Sequence, residues 1–339
     1  MRPSRDTVQK PVMDLVVPIH GQIEMNRIFF DYLNRNTRNP FRLIVVDNAS
    51  PDESADFFES RNSQETPVVV IRNPHNQCYP VSINQGVLAG SAPVVGFLNN
   101  DILVGPGWDE PLLEALLKKS FPVVSPGGLE HFPDRTLEEI FFQRWSYINK
   151  RRWSQDSKTN IQEKIRRMYG DFNHIAERIQ KKYEGVLYSG IMGHCHLLKR
   201  ETFEVLGGLD PRIQSADWDL YLTVEKEKRM GNFDKSPMIL GGSYVHHFIR
   251  LTDSNAKRTL PVCNHSPHLK IEEKWKKKEI QDLWPFKTQV PDYQKKFKDR
   301  ILKKYTRLKT NTYYWKTNIE RILDNNTNAH NDSINMVNI

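Results

Sequence analysis

The stretch PVVGFLNND, residues 93–101, sets a short apolar run rich in β-branched residues directly before Asn99, Asn100 and Asp101. It reads as a buried strand over residues 93–98 that ends in a polar cluster. Three comparable runs lie upstream: MDLVVPI (13–19), FRLIVV (41–46) and PVVVIR (67–72). Helical patterns over residues 24–34, 54–61 and 80–89 separate them. Strands alternating with helices of this length predict an α/β fold, with a mostly parallel central sheet flanked by helices on both faces. Ligands of such sheets sit beyond the carboxyl ends of the strands. Residues 18–21, 47–50 and 99–101 should therefore meet in one crevice.

Downstream, the pattern turns helical over residues 130–184, where Phe141, Trp145, Tyr169 and several basic residues mark a helical insertion. A sheet pattern returns at 185–199 and is followed by a helix at 201–206, the turn Gly207, Gly208, Leu209, Asp210, and a helix over 217–229. A last strand, 236–245, runs into His246 and His247. The expected organisation is a tail (1–12), a main domain (13–260), a basic helical extension (261–323) and an Asn-rich disordered end (324–339).

The net charge of +8 gathers in residues 144–182 and 270–309. Such runs are ordinarily solvated helix faces, with contact to an anionic surface as the second reading. The basic and aromatic segment carries no recognised nucleic-acid module, so nucleic acid is not an expected partner. Cys78, Cys195 and Cys263 are odd in number and far apart. They point to a reducing compartment rather than a disulfide framework. No apolar run approaches the ~18 residues that span a bilayer. The expectation is a cytoplasmic protein, either free or peripheral on the cytosolic face of a membrane.

Six segments occur in order: LVVPIHGQ (15–22), VVDNASPD (45–52), INQGVLAGSAPVVGFLNND (83–101), GHCHLLKRETFEVLGGLDPRI (193–213), ADWDLYL (216–222) and VHHF (245–248). Together they resemble the family 2 glycosyltransferases, which have the GT-A fold. The resemblance implies an inverting enzyme that moves a sugar from a nucleotide-diphosphate donor, a UDP-sugar first, to a hydroxyl of a glycan or glycoconjugate. It also implies Mn²⁺ or Mg²⁺ as cofactor, which agrees with chemistry: the leaving diphosphate gathers negative charge that a divalent cation stabilises. Both ions accept carboxylate oxygen, and imidazole also suits Mn²⁺.

Residue by residue, the resemblance makes Asp101 the acidic metal ligand. Asn99 and Asn100 stand where the family often has Asp, and are expected to contact the sugar or ribose. A late histidine should complete the metal shell. Adjacent residues on a strand face opposite ways, so only one of His246 and His247 can serve, and His246 is favoured. Asp217 matches the Asp of the family's Glu-Asp motif and is the candidate base, with Ala216 in place of the Glu; a helix N-cap is its alternative role. Asp47 should bind the nucleoside, with an Asx-turn as the alternative. Pro18, Ile19 and His20 would line the base pocket, and Asn76 and Asn84 the ribose side.

His194, Cys195 and His196 alternate faces and have no further ligand pair nearby, so they are not read as a zinc site. The losses at positions 99, 100 and 216 motivate a rival reading, a catalytically weakened nucleotide- or glycan-binding relative. A nucleic-acid binder is the third class. The basic extension suggests peripheral membrane contact or a homo-oligomer.

Overall fold

A computed structural model describes residues 10–149, 157–248, 269–284, 319–321 and 323–324. The chain opens with β1 (Met13–Ile19), α1 (Ile23–Asn36), β2 (Phe41–Asn48), α2 (Ser54–Glu59), β3 (Val68–Asn73), α3 (Tyr79–Leu88) and β4 (Val94–Leu98). β5 (Ile102–Val104), α4 (Asp109–Leu117) and β6 (Val123–Gly128) precede an insertion of α5 (Arg135–Asn149), α6 (Ser157–Tyr169) and α7 (Phe172–Lys182). Then come β7 (Leu187–Ser189), β8 (Cys195–Lys199), α8 (Arg200–Val205), α9 (Ala216–Arg229) and β9 (Met238–His247), followed by α10 (Ile271–Lys274) and α11 (Lys277–Leu283).

One sheet results, in the order β3-β2-β1-β4-β8-β6-β9-β5, with β7 also paired to β9. The four strands β3, β2, β1 and β4 are parallel, as their buried apolar runs predict. Beyond β4 the expectation of a mostly parallel sheet gives way to a mixed one. β8 runs antiparallel to both β4 and β6, β5 and β7 run antiparallel to β9, and β6 is parallel to β9. The reversal has a functional consequence. It brings the starts of β8 and β5 to the same edge as the ends of β1, β2, β4, β6 and β9.

Side chains alternate across the sheet and bury both faces. Leu15, Val17 and Ile19 pack with Phe29 and Leu33 of α1, Leu112 of α4 and Phe141 and Trp145 of the insertion. Val16, Ile44 and Val46 pack the other way, with Ile83 and Val87 of α3 and Leu220 and Val224 of α9. Gly86 permits the α3 contact, because a Cβ there would lie 2.3 Å from a Val16 methyl. At the opposite end of β1 the fully buried Asp14 pairs with Arg42 and Arg200, each at 2.7 Å, and accepts the Ala92 N–H.

The segment holding α10 and α11 packs Ile271, Trp275, Ile280 and Leu283 against Ile213 and Leu222. Ile319 and Leu323 enter the main core, and at the surface beside them Arg178 of α7 pairs with Asp324. The rest of the basic extension, and nearly all of the Asn-rich end, lie outside the described residues, as do the membrane and self-association expectations placed on them. Cys78 is disulfide-bonded and Cys195 is a free, buried thiol. The cysteine argument for a reducing compartment therefore fails at Cys78. Among the described residues no helix is long and apolar enough to cross a membrane.

Candidate active site

The crevice forms where β4 ends. Leu98 pairs with Cys195, and the next residue, Asn99, donates its N–H to the His194 carbonyl at 2.9 Å, so the entry to β8 lies beside the polar cluster. On the other side Ile102 pairs with His247, and Phe248 N–H donates to the Asp101 carbonyl at 2.9 Å. Asp101 is thus held at backbone level between His194 and His247. Glu130 follows β6 by two residues and reaches the same place, because β6 and β9 end together.

The side chains close a cluster. His247 Nε2 lies 3.4 Å from Asp101 Oδ1, and its Nδ1 lies 3.1 Å from Glu130 Oε2. His194 Nδ1 is 3.5 Å from the same Glu130 oxygen. The two imidazoles stack at 4.4 Å between centroids, tilted by 19°. One ligand atom each from Glu130, His194 and His247 falls within 4.8 Å of the others.

The charges are strongly coupled. Burial pulls His247 down, but the Asp101 and Glu130 carboxylates outweigh it and lift the imidazole to about 10. Burial would raise Glu130, but His194 and His247 hold it well below the usual carboxylate range. Burial lowers His194 to about 4, reinforced by the neighbouring His247 charge and opposed by Glu130. His194 Nε2 is buried without a hydrogen-bond partner, a rare condition for a ring nitrogen in a folded protein. Glu130, His194 with its orphaned Nε2, and His247 fit a divalent cation, and Asp101 adds a second carboxylate at the other ring nitrogen of His247. The mixed oxygen and nitrogen set suits Mn²⁺ better than Mg²⁺, which prefers oxygen alone.

Asp217, in the first turn of α9, completes the arrangement. Its carboxylate packs so tightly on Gly193 that a Cβ there would meet Oδ2 at 2.5 Å. Burial raises its pKa, backbone N–H groups of Trp218 and its own residue oppose this, and Glu130 adds to the rise. The Tyr79 hydroxyl, buried with no hydrogen-bond partner among the described residues, is pushed up by burial and by the Asp217 charge.

The glycosyl transferase family 2 model matches residues 14–207. The chain belongs to that family. Asp101, Glu130 and His194 fall inside the matched stretch, whereas Asp217 and His247 follow it. No curated protein matches the chain. Among solved structures it is similar to a mannosyltransferase, PcManGT from Pyrobaculum calidifontis in complex with GDP-Man and Mn²⁺, at 15% identity and TM-score 0.46, covering 74% of this chain and 59% of that one. GalNAc-T7 with UDP, GalNAc and Mn²⁺ is similar at 15% identity and TM-score 0.47, covering 70% and 44%. S. aureus TarS 1-349 is similar at 10% identity and TM-score 0.43, covering 68% and 59%. The chain thus spans less than two thirds of each of these structures.

Several of the expected site residues of this family member sit differently from the expectation. His246, the favoured metal ligand, faces away: it is fully buried, its Nδ1 lies 2.8 Å from the Tyr169 hydroxyl, and its ring meets Trp145 and Phe248 edge-on. The reason is alternation along β9, which turns His247 to Asp101 and His246 to the aromatic core. Ile19 belongs to the main core rather than to a base pocket. Asn84 clamps the backbone of Leu209, donating to its carbonyl at 2.7 Å and accepting its N–H at 2.9 Å. Asn100 donates to Asn26 Oδ1 at 2.7 Å and so forms part of the crevice wall.

Asp47 and His20 lie at the strand-end edge. Asp47 Oδ1 accepts the Ser50 N–H at 3.1 Å, so the Asx-turn alternative is present. The exposed His20 sits with Nδ1 2.8 Å from the Asn48 carbonyl. Gly21 N–H donates to Ser50 Oγ and Ile23 N–H to Asp52, which ties the loops after β1 and β2 into one wall. Pro18 and Asn76 are half-buried on the same side. Asn84→Ala is expected to cost about 1–3 kcal/mol in a denaturation experiment, because two buried backbone groups lose their partner. Donor affinity should change little.

Glu130 and His194 were not anticipated as ligands. His194 could not be assigned because a strand parallel to β4 would begin at the far edge of the sheet. The direction of β8 is a tertiary fact, and the adjacent Cys195 and His196 face elsewhere. The available signal for Glu130 was the Gly127-Gly128 pair that ends β6 two residues before it, a strand end of the kind that bears functional side chains.

Proposed function

We propose that this glycosyltransferase moves a glycosyl group from a nucleoside diphosphate sugar, with UDP as the first candidate base, to a hydroxyl of a glycan or glycoconjugate, inverting the anomeric carbon. The clustering of Glu130, His194 and His247 ligand atoms within 4.8 Å, with Asp101 at the other ring nitrogen of His247 and Asp217 against Gly193, carries this reading. Those three clustered residues and Asp101 would hold Mn²⁺ or, less suitably, Mg²⁺. The bound cation supplies charge stabilisation for the departing diphosphate.

Asp217 takes the proton of the attacking hydroxyl as its oxygen bonds to the anomeric carbon. The bond from that carbon to the diphosphate oxygen breaks, and the diphosphate leaves with the electron pair. Burial of Asp217 makes it a stronger base than a solvated carboxylate. On the donor side, Asp47 and His20 are the residues best placed for the nucleoside, with Pro18, Asn76 and Asn99 around them.

A thermal-shift comparison of UDP, GDP and dTDP with and without Mn²⁺ tests the reading. A ligand at a hundred times its Kd stabilises the folded state by about 2.7 kcal/mol, so UDP with Mn²⁺ should raise Tm and UDP alone should do so far less. No shift with any of the three in the presence of Mn²⁺ would overturn the proposal and favour a relative that has lost donor binding.

A further inference from the structure

The first turn of α9 points three consecutive side chains in three directions, each about 100° from the last. Asp217 turns to Gly193 and the crevice. Asp219 turns to the C-terminal segment, accepting Trp275 Nε1–H at 2.7 Å and Lys274 Nζ–H at 2.8 Å. Trp218 lies between them and is 37% exposed, a large indole at the surface immediately beside the candidate base.

Trp218 is buttressed from the segment that Asp219 docks. Trp284, at the end of α11, meets it edge-on, with centroids 5.6 Å apart and an interplanar angle of 86°. Trp284 is itself fixed against the buried Tyr221, at 4.5 Å and 30°, and the Tyr221 hydroxyl lies 2.9 Å from Ser189 Oγ. Residues 189–193 therefore run along α9, touching Tyr221 at one end and Asp217 at the other. An edge-to-face pair of this kind fixes ring orientation, so the partly exposed indole is held in place beside the candidate base.

We infer that Trp218, backed by Trp284, is the platform on which the acceptor docks, and that the acceptor presents a pyranose ring there. The C–H face of a pyranose is apolar and matches an indole face, while its hydroxyls project from the ring edge, where one can reach Asp217. This inference rests on the glycosyl-transfer reading above. It adds to it the pyranose form of the acceptor and a role for the C-terminal segment, which supplies half of the platform.

Saturation-transfer NMR on the full chain tests it, using methyl β-glucopyranoside, methyl β-galactopyranoside and methyl α-mannopyranoside as probes, with UDP and Mn²⁺ present. The ring C–H protons of at least one probe should receive saturation. Trp218→Ala should weaken that probe's affinity about tenfold, the factor carried by ~1.4 kcal/mol of lost contact. UDP signals should be unchanged, and Trp218→Phe should restore part of the loss. Because Trp218 is exposed, unchanged UDP signals also report an intact fold. Pyranoside signals that are equal in wild type and Trp218→Ala, or absent from wild type while UDP signals persist, overturn the platform. Missing UDP signals with a Trp218-dependent pyranoside signal count instead against the nucleotide donor and support the platform.

Discussion

Asp101→Ala is expected to lower Mn²⁺-dependent turnover about a thousandfold, the loss that ~4 kcal/mol of missing transition-state stabilisation produces. The substitution is clean because the Asp101 backbone is fixed independently of its side chain. Phe248 N–H donates to its carbonyl, and the β5–β9 ladder starts at the next residue. What disappears is one of the two carboxylates that face His247. Mn²⁺ affinity, followed by electron paramagnetic resonance of the free ion, should fall in parallel. His247→Ala should behave in the same way, whereas His246→Phe should keep Mn²⁺ affinity and lose stability, since His246 bonds Tyr169 in the aromatic core. Undiminished Mn²⁺ affinity in Asp101→Ala would remove Asp101 from the cation's ligands, and undiminished affinity in His247→Ala as well would remove the cation from this cluster.

The pairing of Asp101 with His247 marks how far a sequence can be read and where it stops. Local pattern sufficed for β1 to β4, since a buried parallel strand is a short apolar run whatever lies around it. It also sufficed for placing Asp101 at a strand end. The second half of the sheet resisted because direction is set by long-range pairing, and two three-residue strands there, β5 and β7, carry little periodicity of their own. β9 adds a further difficulty. Pro126 pairs with Leu240 but Gly127 pairs with Tyr244, so Gly241, Gly242 and Ser243 bulge out of register. A shift by an odd number of residues reverses which side chains face the crevice. Alternation alone could not choose between His246 and His247, although the Gly-Gly pair inside a strand was a visible sign of the bulge.

Asp217→Asn is expected to reduce turnover about a thousandfold, within the 10²–10⁴ range typical of a lost general base, while making the folded protein more stable near neutral pH. The sign follows from the direction of the pKa shift. Burial raises Asp217 above its unfolded value, so as pH rises the unfolded chain ionises first and the ionised carboxylate favours unfolding. Stability contributed by the protonated form is present at low pH and is lost as pH rises through the folded pKa. Asparagine carries no such penalty at pH 7. The same shift sets the acid limb of kcat/KM: activity requires the ionised base, so it should fall with decreasing pH at a midpoint above the ordinary aspartate range, and that limb should vanish in Asp217→Asn. Gly193→Ala supplies the geometric control. Its new methyl would sit 2.5 Å from Asp217 Oδ2, and displacement of a catalytic group by about 1 Å can cost about 10²-fold. Turnover should therefore drop while Mn²⁺ affinity holds. If Asp217 were only a helix cap, its replacement would lower stability and leave the pH profile in place, the opposite pair of outcomes.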